Sequence, residues 1–472
     1  MTHLRKSGTK EMKKTTTMNT PSNGHAKPTP DTKPVVKPAY ITSLSIENIK
    51  CFGPKQTLDL TYTDGKPARW TVILGDNGVG KTTLMKAIFV MRPLEEITMA
   101  GEDRRYSQSM STLFEHFRNS ERTMLSRQNE TKGMMSLFLL QTSLKTQITK
   151  LNVPIELTVS VSKNSATSNL HIGDLGGFVL YCYSASRTMG NVSFIENLDW
   201  NNPKMQNFDQ DLLNAEEWLL KADYIASKHA DRKDLRIRRD KIRQVLVEIL
   251  PDISELRFHA PEIYVNPRIQ FLTPYGWVYL NDLSLGYKTM ISWIVDLAAR
   301  LFERYTDSSD PLSEPAIVLV DEIDLHMHPS WQQKIISYLT DRFPNVQFIV
   351  TAHSPLIVQS AQDANIVVLR REGDHVVIDN NPVNVRHWRV DQLLTSDLFG
   401  LESARPLLTE KLFDERRSLL GKKKLTSKEQ KRLGELKIAL ESVPTAETPD
   451  DIEAMELIRS VAKRIKEREN GK

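Results

Sequence analysis

Gly75-Asp76-Asn77-Gly78-Val79-Gly80-Lys81-Thr82 is the stretch of this 472-residue chain whose residue types and spacing most directly specify a chemistry. It fits G-x-x-x-x-G-K-[ST], a loop whose backbone N–H groups cradle phosphates. The glycines permit backbone angles and a close approach that a Cβ would block. N–H groups at the start of a following helix favour an anion. The flanks supply that setting: Trp70 to Leu74 reads as a short buried strand, and Thr83 to Val90 as the start of a helix. Asn77, Gly78, Gly80, Lys81, Thr82 and Thr83 are therefore expected to bind a nucleoside triphosphate, ATP, with Mg²⁺. Lys81 would hold the β- and γ-phosphates, and the Thr82 hydroxyl would ligate the metal.

Three later segments carry matching chemistry. Ile317 to Val320 is an apolar strand that ends in Asp321-Glu322. Asp321 at the strand tip can hold the Mg²⁺ hydration shell, and Glu322 can orient and deprotonate the attacking water. Upstream, Asn281 to Lys288 (NDLSLGYK) places Ser284 and Gly286 at a helix start, where a hydroxyl and free N–H groups can face an anion. The same residues also suit a plain helix cap through Asp282 or Ser284. Thr351-Ala352-His353-Ser354-Pro355 follows a strand at Gln347 to Val350, which puts His353 at the ligand edge of a parallel sheet.

The elements that must position these groups can be read from the pattern. Ile41 to Ile46, Leu58 to Tyr62, Ile155 to Val161 and Gly177 to Tyr183 read as strands. The stretch from about 91 to 153 is polar and rich in Met, Ser and Arg, and reads as irregular helices. Asp209 to Leu250 reads as helix closed by Pro251. Short strands are expected at Glu255 to Phe258 and Ile263 to Phe271, and a helix begins within Leu283 to Ala298. Ala316 to Val320 and Gln347 to Val350 are continuously apolar, as suits a parallel sheet covered on both faces. Val367 to Ile378 reads as a terminal hairpin. Beyond Asp391 the chain turns helical and charged, and Leu425 to Leu440 suits a surface or partner-facing helix. The expected fold class is α/β with a mixed or parallel central sheet, a helical insertion and a charged helical C-terminal region. The expected divisions are a basic tail (1–40), an N-lobe with the glycine loop (41–90), a mixed and helical insertion (91–260), a C-lobe (261–390) and a C-terminal partner or oligomerisation region (391–472).

Composition sets outer bounds. The net charge is +4, but residues 1–40 carry +6, leaving −2 for the remainder. That stretch is rich in Thr and Pro and poor in apolar residues, so it reads as a flexible tail: a nucleic-acid-contacting arm, a targeting segment, or simply a solvated extension or upstream start site. Cys51 and Cys182 are far apart and define neither a disulfide framework nor a thiolate metal site. No apolar run approaches membrane-spanning length, and no N-terminal apolar leader is present. A cytoplasmic protein without a membrane partner is expected.

Taken in order, these four elements resemble the ATP-binding-cassette ATPases, and within them the SMC/RecF/OLD branch. Asp321 to Pro329 (DEIDLHMHP) with Trp331-Gln332, Tyr183 to Arg187 (YSASR) and Ile46 to Gly53 (IENIKCFG) carry that likeness, which covers about 41–400. The resemblance implies that Lys81 and Thr82 form the Walker A pair and Asp321 and Glu322 the Walker B pair. It makes Leu283 to Lys288 the signature, including Ser284, Gly286 and Lys288. Asp324 would be the D-loop acid and His353 the switch histidine. It implies that Glu322 and His353 are catalytic and that Thr82 and Asp321 serve the metal. His326 and His328 then belong to the helix start after the D-loop rather than to a metal site. The signature departs from the transporter pattern, with Leu285 in place of glycine. The Mg²⁺-sensing glutamine has no clear counterpart; Gln141 and Gln147 are candidates. The family further implies two heads facing each other, each ATP held by the glycine loop of one and the signature of the other, so that a homodimer is the minimum unit.

No Glu followed by Asp-x-Asp at strand ends, as a Toprim nuclease needs, occurs between 360 and 472, and no HNH or metallo-hydrolase cluster is visible. The expectation is an ATPase without its own nuclease. Asp391 to Leu401 and the charged helices after it resemble the stand-alone ATPases of bacterial anti-phage systems, the Septu ATPase above all, with the PARIS ATPase a near relative. That likeness implies a homo-oligomer that controls a partner nuclease of HNH or Toprim type. A RecF-like DNA-binding repair ATPase and a slowly hydrolysing assembly scaffold are the alternatives.

Overall fold

The computed structural model describes residues 38–92, 178–187, 189–190, 212–229, 231–259, 267–382, 387–422 and 424–440, the isolated residues 208, 385 and 458, and the backbone of strand segments 95–96, 105–106, 132–141, 153–162 and 166–170. Strands β1 (Ala39–Glu47) and β2 (Gln56–Asp59) precede β3 (Trp70–Gly75), which runs through the glycine loop into helix α1 (Lys81–Val90). Next come β4 (Glu95–Glu96), β5 (Arg105–Tyr106), β6 (Lys132–Gln141), β7 (Val153–Ser162), β8 (Ala166–Leu170) and β9 (Leu180–Tyr183). Helices α2 (Ala215–Lys228) and α3 (Lys233–Ile249) lead to β10 (Glu255–His259), β11 (Arg268–Thr273) and β12 (Gly276–Tyr279). The long helix α4 (Leu285–Arg304) then precedes β13 (Ala316–Val320), α5 (Pro329–Gln332), α6 (Ile335–Arg342), β14 (Val346–Thr351) and α7 (Pro355–Ser360). The hairpin β15 (Asn365–Glu372) and β16 (His375–Asp379) is followed by α8 (Val390–Leu394), α9 (Leu407–Leu420) and α10 (Ser427–Ala439).

The architecture is α/β. A six-stranded sheet in the order β16-β15-β3-β14-β13-β9 lies at its centre, parallel except for β16, which pairs antiparallel with β15. Its inner strands β13 and β14 are buried at every position and mostly apolar because both faces are covered. Along β3, Trp70, Val72 and Leu74 enter one core with α4 and α6 residues such as Ile294 and Leu339. Ile73 enters a second core, shared with Ile41, Leu44 and Ile46 of β1 and Leu84 and Ile88 of α1. The phosphate-loop helix is thereby wedged between the central sheet and a second, antiparallel sheet of order β2-β1-β6-β7-β8. Buried Gln347 stitches the two sheets, accepting from Ile41 N at 2.9 Å and donating to Ile41 O at 2.8 Å.

Three readings of local structure are corrected. Lys132–Gln141 is a ten-residue strand, not irregular helix, and pairs with β1 on one side and β7 on the other. Its Met and Leu content favours helix in isolation, and the two ladders override that propensity. The helix expected over Asp209 to Leu250 is broken into α2 and α3, with Arg232 N bonding to His229 O at 2.9 Å between them. A third strand, β12, completes an antiparallel sheet with β10 and β11. The expected tail falls outside the described residues up to position 37, as do Gln147 and the side chain of Gln141. Among the described residues no helix is long and apolar enough to cross a membrane.

Helix α4 is anchored by a buried polar network. Asp296 accepts from Arg300 Nε at 2.6 Å, from the Tyr183 hydroxyl at 3.0 Å and from Leu213 N at 3.3 Å. All members of a buried ionic group must be present: deleting one partner of such a pair costs about 3–5 kcal/mol. The network ties α4 to the C-terminal end of β9.

Candidate nucleotide site

The glycine loop leaves β3 at Gly75 (φ 142°) and enters α1 after Gly78 (φ 80°) and Gly80 (φ 93°), three angles that an L side chain rarely adopts. Space is closed as well. A Cβ on Gly75 would lie 2.6 Å from Leu369 O, and one on Gly80 would collide with Cys51 Sγ. Gly80 caps α1, so the helix N–H groups open onto the loop. Lys81 is the first helical residue and is only 7% exposed. Its ammonium donates to Gly75 O at 2.7 Å and Asp76 O at 2.8 Å. Burial lowers its pKa below the usual lysine value, and the charges of Asp321, Glu322, Asp76 and Asp324 partly offset that.

Strand β13 brings the acids to the same point. Asp321, 2% exposed, accepts from Thr82 Oγ1 at 2.7 Å through Oδ2 and from Thr351 Oγ1 at 2.6 Å through Oδ1. Thr351 Oγ1 also accepts from Glu322 N at 2.7 Å. Glu322 sits in the left-handed region (φ 50°), an uncommon conformation for a non-glycine residue. Arg187 secures this turn from the other side. Its Nη1 donates to Asp321 O and its Nη2 to Glu322 O at 2.7 Å. Arg187 is 3% exposed, and burial pushes its pKa down to about 10, opposed by the nearby charges of Asp321, Asp324 and Glu322. It remains a cation at neutral pH.

The turn after Glu322 and the segment after β14 are joined in turn. His353 N donates to Asp324 Oδ2 at 3.1 Å, while Asp324 Oδ1 is buried and has no partner among the described residues. Gln332 Nε2 donates to Met327 O at 3.0 Å, and Ser354 Oγ to Gln332 Oε1 at 2.5 Å. His328 caps α5, its Nδ1 accepting from Ser330 N at 3.3 Å.

Lys81, Thr82, Asp321, Glu322, Asp324 and His353 thus converge from three separate parts of the chain. Ser284, Gly286 and Lys288 lie at the start of α4. Gly286 packs directly on the carbonyl of His326, so closely that a Cβ would overlap it. Tyr287 meets Trp331 edge-on at 4.5 Å between ring centroids and donates to Pro251 O at 2.8 Å. Ser284 is the N-cap through its carbonyl, which accepts from Lys288 N at 3.1 Å, but its hydroxyl makes no cap hydrogen bond. The capping reading of that hydroxyl therefore does not describe the observed contact. Beside it Leu285 is 53% exposed.

Two hard hydroxyl and carboxylate oxygens, Thr82 Oγ1 and Asp321 Oδ2, meet beside a buried cation at a helix N-terminus. This donor set fits Mg²⁺, which takes few protein oxygens and keeps the rest for water and phosphate. The buried, unpartnered Asp324 Oδ1 is a further acceptor nearby. Arg187 and Thr351 are the positioning residues that residue-type reasoning did not assign. Arg187 closes the YSASR run and Thr351 immediately precedes Ala352-His353, so both lay within quoted motifs without a role.

The match to a family model follows this geometry. Residues 40–358 match the AAA ATPase domain, and the chain belongs to that family. Among its relatives, the chain is 26% identical to the Septu protein PtuA of Bacillus mycoides (strain KBAB4) over 382 residues, 80% of this chain and 47% of that protein. It is 36% identical to the Retron Ec83 probable ATPase of Escherichia coli over 227 residues, 48% of this chain and 39% of that protein. The chain spans less than half the length of these two relatives. Among solved structures, a Smc head bound to the C-winged helix domain of ScpA aligns over 73% of this chain and 98% of its own, at 16% identity and a TM-score of 0.42.

Proposed function

We propose that the chain binds and hydrolyses ATP with Mg²⁺ and serves as the ATPase subunit of an anti-phage defence complex. The observation that carries the hydrolytic reading is the Thr82–Asp321 contact, which closes the glycine loop onto the acidic strand tip. Thr82 and Asp321 would hold the metal, whose charge neutralises the phosphates as the terminal phosphoryl leaves. Lys81 turns from its own loop carbonyls to the β- and γ-phosphates. Glu322, fixed by Thr351 and Arg187, orients the attacking water and takes its proton. His353 stands beside the same water or the γ-phosphate; its backbone is set by Asp324 and its imidazole makes no hydrogen bond among the described residues.

Two copies would share each ATP. The Ser284 hydroxyl, which makes no cap hydrogen bond, and the half-exposed Leu285 at the N-terminus of α4 support a facing partner, with Ser284, Gly286 and Lys288 acting in trans. The likeness to Septu and retron proteins supports a defence role in which this oligomer restrains a nuclease encoded nearby, of HNH or Toprim type. The exposed leucines Leu407 and Leu408 of α9 support a C-terminal partner region. The test is co-purification of the chain with the neighbouring gene product, with and without ATP. A neighbour that is neither nuclease nor toxin, or a nuclease that never co-purifies, removes the defence assignment while leaving the ATPase intact.

A further inference from the structure

The sheet β10-β11-β12 buries one face in the core and leaves the other partly open, with Arg257 and Arg268 exposed, Trp277 and Tyr279 half-buried and Gln270 buried. Leu256, Ile269 and Phe271 enter the core, and Phe258 and Val278 pack against it. Strand alternation then sets Arg257, His259, Arg268, Gln270, Trp277 and Tyr279 on the outer face. Arg257 lies with its guanidinium 4.0 Å from the centre of the Trp277 ring, and Arg268 lies 5.4 Å from that of Tyr279. Arg257 Nε is held by Gln270 Oε1 at 2.8 Å. Both arginines are exposed, and neither meets a carboxylate among the described residues. Among the described residues of these three strands the one acid, Glu255, is paired with Arg243 at 3.3 Å. At the hairpin tip a further aromatic, Tyr275, is 97% exposed.

We propose that this face binds a single-stranded nucleic acid, with phosphates on Arg257 and Arg268 and unpaired bases on the Trp277, Tyr279 and Tyr275 surfaces. Charge complementarity favours a polyanion. The aromatic planes select among polyanions, since the half-buried Trp277 and Tyr279 rings, the exposed Tyr275 ring and the guanidinium planes offer stacking to splayed bases, which an acidic peptide lacks. Trp277 and Tyr279 are two residues apart on β12, hence about 7 Å, so neighbouring bases of an extended strand can each find a platform. A duplex keeps its bases stacked internally and gains only the phosphate contacts. Strand β12 ends at Tyr279, five residues before Ser284, the N-cap of α4. This surface is independent of the ATP-site assignment.

The test is fluorescence anisotropy of the full chain with labelled single strands of about 20 nucleotides, as DNA and as RNA, and with a duplex of equal length. At least one single strand should bind with a Kd of roughly 1–100 μM and more tightly than the duplex. The double variant R257E/R268E should weaken it at least about tenfold and reduce the slope of log affinity against log salt by about 1.4. W277A should weaken it by about 5- to 150-fold. R257E/R268E alters only exposed side chains and decides the matter if W277A does not fold; its ATP turnover without oligonucleotide should equal wild type. The proposal is overturned if neither strand binds up to about 100 μM, if the duplex binds as well, or if R257E/R268E binds like wild type, which would place the contact elsewhere, such as the basic N-terminal segment.

Discussion

Thr82 Oγ1 donates a 2.7 Å hydrogen bond to Oδ2 of Asp321, joining the first turn of α1 to the tip of β13. The same carboxylate holds Thr351 through its other oxygen. One buried acid therefore gathers the glycine loop and two neighbouring parallel strands, β13 and β14, at their C-terminal edge. Such an edge is where α/β sheets bind ligands. Everything proposed about ATP rests on this arrangement.

Lys81→Ala should weaken ATP affinity by about 10- to 100-fold, the value of a charge-assisted bond to phosphate, as read by calorimetric titration. Burial holds the Lys81 pKa below its ordinary value. Its charge should therefore be lost, and affinity fall, at a lower pH on the alkaline side than a free lysine would show. The stability sign is the reverse of an ion-paired lysine: burying the charge costs stability below the folded pKa, and the cost is relieved as pH rises toward the unfolded value.

Arg187→Ala leaves the carbonyls of Asp321 and Glu322 without their donor and should cost about 2–4 kcal/mol in denaturant unfolding. Arg187→Lys cannot reproduce the fork that serves both carbonyls. Its kcat should fall while ATP affinity holds, because the turn that aims Glu322 loosens and the glycine loop does not. Equal losses in affinity and kcat would mark Arg187 as a purely structural residue.

Gly286→Ala puts a methyl group into the His326 carbonyl and should displace the start of α4 from the turn around His326. ATP should still bind the isolated chain, since Lys81 and Thr82 are untouched. ATP-dependent self-association, followed by light scattering in a Glu322→Gln background, should be lost.

Mixing two inactive variants tests sharing between copies. Lys81→Ala and Ser284→Arg should each abolish turnover alone. Together they form one intact composite site, so activity should reappear. No recovery, in chains shown to associate, would confine the site to a single copy.

The central sheet, and the convergence of Lys81, Thr82, Asp321 and Glu322 at its edge, were largely legible because their signals are local. The continuously apolar run Ala316 to Val320 reads as a buried strand, and the glycine loop upstream is what gave the two acids after it their meaning. What the residues alone did not show was set by long-range contacts. Lys132–Gln141 has a helical composition, and it becomes a strand only between β1 and β7. Arg187 looks like an ordinary loop cation until the fold lays it across two carbonyls more than a hundred positions away. Thr351 was visible as a neighbour of His353, but its hydroxyl acquires a role only when β13 and β14 pair in register. The outer face of β10 to β12 escaped notice because β12 itself was not expected.

Steady-state ATP hydrolysis by Glu322→Gln, measured beside ATP affinity, tests the account most directly. Removing a general base from an otherwise complete site should lower kcat by about 10²- to 10⁴-fold with affinity unchanged. Wild-type turnover in Glu322→Gln would contradict the assignment of this site as the place where ATP is cleaved.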